Sequence, residues 1–218
     1  MTQLLERWAA PALAAALAAA MFTLAGCGGS LFQSKIPPAA VYQLSAQYEA
    51  AQSAQDKGPA LPVDLSVLRP RVRTGLDNDL IAALYPDRRL DYLADARWSG
   101  PLDELMQDLA LQAFRARANL RIVHAEESPV GGGYWLAIDV NDFQAEYTEG
   151  VEAPTAHVHL LAGVGAAGDE RILARFEADA RRPAAANRVT AIVEAYNQAA
   201  DEALAQIVAD TVAALERR

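Results

Sequence analysis

The sequence predicts an α/β domain: a mixed β-sheet of about five to seven strands packed against two principal helices. Several short runs alternate apolar and polar residues, the period of a half-buried strand. Two segments, opening near Pro101 and near Asn187, instead repeat apolar residues at helical spacing. The chain has 218 residues, enough for one core-forming domain, and a single cysteine, so no disulfide within the chain can support it.

The first segment has a different character. Glu6 and Arg7 precede an apolar run from Trp8 to Ala25, broken only by Pro11 and Thr23. Leu24, Ala25 and Gly26 then lead into Cys27, followed by Gly28, Gly29 and Ser30. An apolar stretch ending in small residues reads as an export signal, because small side chains let a peptidase hold the backbone closely. A cysteine at the cut, with leucine three places before it, resembles the bacterial lipobox. That resemblance implies a lipoprotein signal peptide over residues 1–26, with diacylglycerol on the Cys27 thiol and a further acyl chain such as palmitate on the new amino terminus. Two or more chains give a lasting anchor where one is marginal. The competing reading is an uncleaved spanning helix, against which the alanine content and Pro11 both weigh. Gly28 stands where an aspartate would mark inner-membrane retention, so the expected address is the periplasmic face of the outer membrane. Residues 27–38, with Pro37 and Pro38, form a short tether, and residues 39–218 the single domain.

Within that domain, Val41–Leu44 and Leu61–Leu68 alternate as strands, separated by a polar segment around Gln52–Gly58. Asp79–Tyr85 and Arg89–Ala96 flank Pro86-Asp87-Arg88 as a hairpin. A helix then opens with Ser99 or Gly100 at its cap and Pro101 in its first turn, placing Leu102, Leu105, Met106, Leu109 and Ala113 on one face. Leu120–His124 is a further strand, and Gly131–Gly133 a turn into Tyr134–Tyr147. There the apolar positions change parity near Asn141-Asp142, which predicts a bulge. Ala156–Leu161 and Ile172–Ala178 are two more strands, joined by a glycine-rich turn through Gly163, Gly165 and Gly168. Asn187–Leu215 closes the chain as a helix on the order of 40 Å long, with one apolar stripe from Val189 to Leu215.

Little in this pattern points to catalysis. The net charge of −9 disfavours nucleic acid as a partner. No serine occupies a G-x-S-x-G elbow, the one thiol is assigned to lipid, and the glycines at 163, 165 and 168 lack the lysine of a phosphate loop. His157 and His159 share a strand face, but with His124 the only other histidine they fall short of a stable metal site and read as polar residues on an exposed face. Arg69, Arg71 and Arg73 alternate on one side of an extended stretch. They fit a charged edge that discourages pairing, the favoured reading, or contact with phospholipid headgroups. Asp103, Glu104 and Asp108 suit the start of a helix and are expected to be solvated. Both Trp98 and Trp135 are expected to lie in the core. No enzyme activity, cofactor or metal is expected.

In order along the chain, these landmarks resemble the ABC-type transport auxiliary lipoprotein family, whose relatives include the small lipoproteins of paraquat-inducible intermembrane transport systems. The matching features are the lipobox, Tyr42-Gln43-Leu44, the hairpin ending Ala96-Arg97-Trp98, and the helix opening Pro101-Leu102. Phe143, Arg175-Phe176 and the alanine-rich last helix complete the set. The resemblance implies a mixed sheet flanked by helices, held in the periplasm at the outer membrane. It also implies work beside an MCE-domain protein and, through it, an inner-membrane ABC permease and ATPase that move lipids or other hydrophobic molecules. The lipoprotein would dock or stabilise that conduit, with a homo-oligomeric ring among the assemblies allowed. Tyr42, Leu44, Trp98, Pro101, Phe143 and Phe176 would be structural or partner-facing, and no catalytic residue carries over. The alternative is a lipoprotein that itself binds a small hydrophobic ligand, which requires an apolar-walled pocket of a few hundred cubic ångströms.

Overall fold

The computed structural model describes residues 38–45, 60–126, 133–168 and 172–217. The lipobox residues Leu24, Ala25, Gly26 and Cys27, the rest of the leader and tether up to Pro37, and the polar segment around Gln52–Gly58 lie outside the described residues. From Ala39 onward the chain forms one compact unit.

Strands β1 (Ala40–Tyr42), β2 (Leu61–Leu68), β3 (Arg71–Val72), β4 (Leu80–Leu84) and β5 (Leu90–Trp98) precede helix α1 (Leu102–Arg117). Strands β6 (Leu120–Glu126), β7 (Tyr134–Glu146), β8 (Thr155–Ala166) and β9 (Ile172–Pro183) lead to helix α2 (Val189–Glu216). The class is the predicted one, a mixed sheet with two helices, but the described strands number nine rather than five to seven. Each of the eight strand-like runs forms a strand, and the stretch after Leu68 adds a separate two-residue strand, β3.

The long β7 organises the sheet. One of its edges pairs in turn with β2, β3 and β4, all parallel. Its other edge pairs antiparallel with β8, and β8 with β9. Beyond β2 lies β6, beyond β4 lies β5, and β1 pairs with β5. The predicted bulge is present: the β7–β8 register shifts between Val140 and Asp142. It lets Leu136, Ile138 and Val140 and then Phe143 and Ala145 all face the core despite their change of parity.

Both helices pack on that core face. In α1, Leu102, Met106, Leu109 and Ala113 are buried and Leu105 is half-buried, as helical spacing requires. Pro101 stands one position before the predicted place, at the N-cap itself, with extended backbone. Having no N–H, it leaves none unsatisfied there. The α2 stripe of Ile192, Val193, Tyr196, Ala200, Leu204, Ile207, Val208 and Leu215 is buried throughout. Among the described residues no helix is long and apolar enough to cross a membrane.

An aromatic cluster ties helix to sheet. The Trp98 ring meets Phe143 edge-on at 6.0 Å and Tyr196 edge-on at 5.3 Å, while Phe143 and Tyr196 stack at 4.9 Å. The buried Tyr196 hydroxyl donates to the Ala82 carbonyl at 2.7 Å, so that polar atom is satisfied inside the cluster.

The joining segment of β8 and β9 departs from expectation. Gly163 and Gly165 lie inside β8, and only Gly168 belongs to the turn, with φ +80°. Their place in the strand has a steric reason, which shapes the other face of the sheet.

Candidate functional site

Opposite the helices, the sheet presents a second face on which β7, β8 and β9 line up in cross-strand rows. In register order these rows are Trp135–Gly165–Ile172, Ala137–Gly163–Arg175, Asp139–Leu161–Glu177, Asp142–His159–Asp179 and Gln144–His157–Arg181. The first rows are apolar and short of side chains, and the last are ionic. Among the described residues no helix covers this face.

At the apolar end the strands frame a cleft of about 590 Å3. Leu68, Trp135, Leu161 and Ile172 supply its apolar walls, with Ala137 and Gly163 between them. Leu161 and Ile172 keep 36% and 38% of their surface in solvent, among the largest exposures of any bulky apolar side chain in the described domain. Trp135 belongs here, half-buried, rather than in the core where Trp98 sits at 2% exposure. Gly165 permits this. A Cβ on Gly165 would lie 2.2 Å from the Trp135 ring, so the indole lies over bare backbone. Gly163 leaves the trough beside it open, for the nearest atom to an added Cβ would be Ile172 Cγ2 at 3.8 Å.

Three arginines border the cleft. Arg69 reaches Asp103 at 2.6 Å and Glu104 at 2.8 Å at the start of α1. Arg71 makes a two-pronged contact with Asp139, at 2.6 and 2.9 Å. The hydrogen-bonded carboxylates hold the Arg69 and Arg71 guanidiniums above their ordinary range. Burial opposes ionisation of Asp103, but Arg69 and the backbone amides outweigh it and keep that carboxyl low. Arg73, further along, pairs with Asp142 at 3.0 Å. The Arg69, Arg71 and Arg73 stretch is therefore neutralised within its own domain, and Asp103 and Glu104 are ion-paired rather than merely solvated. Arg175 differs: it forms no ion pair with any described residue.

The ionic end is internally balanced as well. His157, at 4% exposure, is buried rather than on the exposed face expected of it, because Glu146, Asp179 and Arg181 close over it. Its Nδ1 lies 2.8 Å from Glu146 and its Nε2 3.2 Å from Asp179. His159 contacts Glu177 at 2.9 Å and Asp142 at 3.4 Å. Burial works against ionisation of Glu146, yet hydrogen bonds from His157 and Gln144, with Arg181 alongside, hold its carboxyl below the ordinary range. Among the described residues no group of three or more histidine, cysteine or acidic side chains is arranged to hold a metal ion.

Of the signature residues, only Phe176 also lines the cleft. Trp98 and Phe143 are fully buried against Tyr196, Leu44 lies in the core, and Pro101 caps α1. Tyr42 and Phe176 are half-buried and pack against the core from its edges. None of the six presents a fully exposed side chain except Pro101. The cleft residues Gly163, Gly165 and Arg175 were not legible as a site, since two glycines near a turn signal read as the turn itself. The available clue was that both occupy alternate positions continuing the period of β8.

Fold and face together define a sheet-and-helix domain with one packed face and one open face. The chain belongs to a family described as the ABC-type transport auxiliary lipoprotein component, whose model matches residues 42–208. Similar solved structures include a protein from Xanthomonas campestris, 22% identical, with TM-score 0.70 over 82% of this chain and 98% of that one. An uncharacterised protein, 14% identical, has TM-score 0.60 over 80% of this chain and 99% of that one. A hypothetical protein from Chlamydia trachomatis, 10% identical, has TM-score 0.50 over 72% of this chain and 100% of that one. At these identities the likeness is one of fold. No curated protein matches the sequence.

Proposed function

We propose that this protein is a non-catalytic accessory subunit of an MCE/ABC-type intermembrane lipid-transport system, docking or stabilising the conduit at the outer membrane. The observation that carries the reading is the family match across residues 42–208, which makes the domain an auxiliary component of ABC-type transport. The ATPase and permease are then separate subunits, and this chain contributes a rigid surface for assembly. Lipid on Cys27 holds the domain at the periplasmic face of the outer membrane, and the Gly28 that follows supports that address over the inner membrane.

The described domain fits such a role. Its ionisable clusters are closed by ion pairs, as at Glu146–His157–Asp179, and its helices lock one face by burial. Among the described residues, the open sheet face is the surface left for a partner.

Affinity capture of the full lipidated chain from cell envelopes tests the proposal. The expected result is co-purification of an MCE-domain protein and, through it, an ABC permease and ATPase. Replacement of Cys27 by serine should abolish acyl-chain incorporation and leave the leader uncut. Capture of cell-wall enzymes in place of an MCE protein, or a C27S chain that matures like the parent with no acyl chain on either, would overturn it.

A further inference from the structure

We infer that the cleft between Trp135, Leu161, Ile172 and Leu68 is a binding site for a single-chain amphiphile with an anionic headgroup, such as a fatty acid or a lysophospholipid. The inference goes beyond the docking role, because it assigns this subunit a ligand of its own.

Shape is the first argument. The volume of about 590 Å3 falls within the ordinary range for sites that hold small organic ligands. The trough exists because Gly163 carries no side chain between Ala137 and Arg175, and because Gly165 lets the Trp135 indole lie across the strand. In the middle of a strand, glycine costs stability through backbone freedom and lost packing. Here two glycines at alternate positions of β8 remove the side chains that would fill the same face.

Chemistry of the walls is the second. Leu161 and Ile172 leave large apolar areas in water, an unfavourable arrangement unless something covers them. An acyl chain laid along Gly163 would bury both, with the Trp135 ring as a flat wall.

Charge is the third. Arg69 and Arg71, at the same cleft, are already held by Asp103, Glu104 and Asp139. Arg175 stands directly across from Gly163 in the β8–β9 register and has no anionic partner among the described residues. An acidic headgroup at this position gains a charge-assisted hydrogen bond without displacing an existing pair. A neutral amphiphile would offer that cation no charge to pair with, and a cationic one would be repelled. The site therefore selects for negative charge at one end of an apolar chain.

Photolabelling tests this directly. Full-length lipidated protein in phosphatidylcholine nanodiscs is incubated with palmitate bearing a diazirine on its chain, and in parallel with the methyl ester of the same probe. Peptides bearing crosslinks are mapped by mass spectrometry. The acid should label residues around Trp135, Leu161 and Ile172 saturably, with about tenfold more labelling than the ester. Both unlabelled palmitate and lysophosphatidylglycerol should compete, since carboxylate and phosphate share the required chemistry. Arg175→Gln, an exposed substitution, should lower labelling by the acid about tenfold while leaving the ester unchanged. Gly163→Leu, which fills the trough, should remove labelling by both, with its melting temperature checked to show that it folds. Equal labelling by acid and ester, undiminished labelling in R175Q, or labelling confined to other parts of the chain would overturn the inference. Capture of the MCE protein by the parent chain is read separately: no capture with labelling intact would sink only the docking role.

Discussion

Gly165 and Trp135 face each other across the β7–β8 ladder, and a Cβ added to the glycine would sit 2.2 Å from the indole. The strand accepts glycine's entropic cost because the ring occupies the space that any other side chain would take. Gly165→Ala should therefore destabilise the domain by about 1–3 kcal/mol, the usual cost of overpacking. Gly163→Ala, two residues earlier on the same face, meets only Ile172 Cγ2 at 3.8 Å and the Ala174 carbonyl oxygen at 3.9 Å, both ordinary contacts. It should be neutral or stabilising by up to about 1 kcal/mol. Urea unfolding of the two variants side by side, with Trp135 emission as a second readout, checks the contrast. Equal effects would show that the indole does not lie where the glycine admits it.

The aromatic cluster gives a prediction of different origin. Tyr196→Phe keeps the ring stacked on Phe143 but leaves the buried Ala82 carbonyl without its donor. A loss of about 1–2 kcal/mol is expected from the unsatisfied acceptor alone. Trp98→Ala removes the ring that touches both partners and should cost about 3–5 kcal/mol. Thermal and chemical unfolding should rank the two in that order.

Much of the packed face was legible in the chain because burial imposes a period. The α1 face from Leu102 to Ala113 and the α2 stripe both follow from helical spacing, and the change of parity at Asn141-Asp142 located the β7 bulge. The open face obeys no such rule. Gly163 and Gly165 carry the same residue type in a turn as in a strand crossed by an indole, and only the position of Trp135 distinguishes the two. Likewise the alternation of Arg69, Arg71 and Arg73 was visible, but their carboxylate partners lie some 34 to 69 residues away along the chain. Spacing along one segment cannot report such long-range pairing. His157 reads as exposed in the sequence for the same reason, since the groups that cover it come from β7 and β9.

Acid should weaken the ionic end of the open face. Glu146 has its folded-state pKa depressed below the ordinary value of 4.5, so its contribution to stability is fully present above that value. The contribution is lost as pH falls through the lowered, folded-state pKa. Asp64 and Asp103 are depressed in the same direction, by Arg121 in the first case and against burial in the second. Comparison with Glu146→Gln isolates the one carboxyl. Between about pH 5 and about pH 3 the parent should lose more unfolding free energy than E146Q, whose curve should be flatter. Parallel curves would mean that Glu146 titrates alike in both states.

An ion pair joins the two helices, and its energetic role can be measured separately from packing. A single Arg117 nitrogen lies 2.9 and 2.8 Å from the two Asp201 oxygens, with both side chains about three-quarters shielded from water. At that intermediate burial, Coulomb attraction exceeds that of an exposed pair while desolvation stays short of the interior penalty. A double-mutant cycle through Arg117→Ala and Asp201→Ala should give a coupling of about 0.5–1.5 kcal/mol, diminishing with added salt. The two single costs should add to more than the cost of the double, because each single variant loses the pair while keeping one of its charges between α1 and α2. A coupling near zero would mean that apolar burial alone sets how these helices meet, with the pair a consequence of their position rather than a cause.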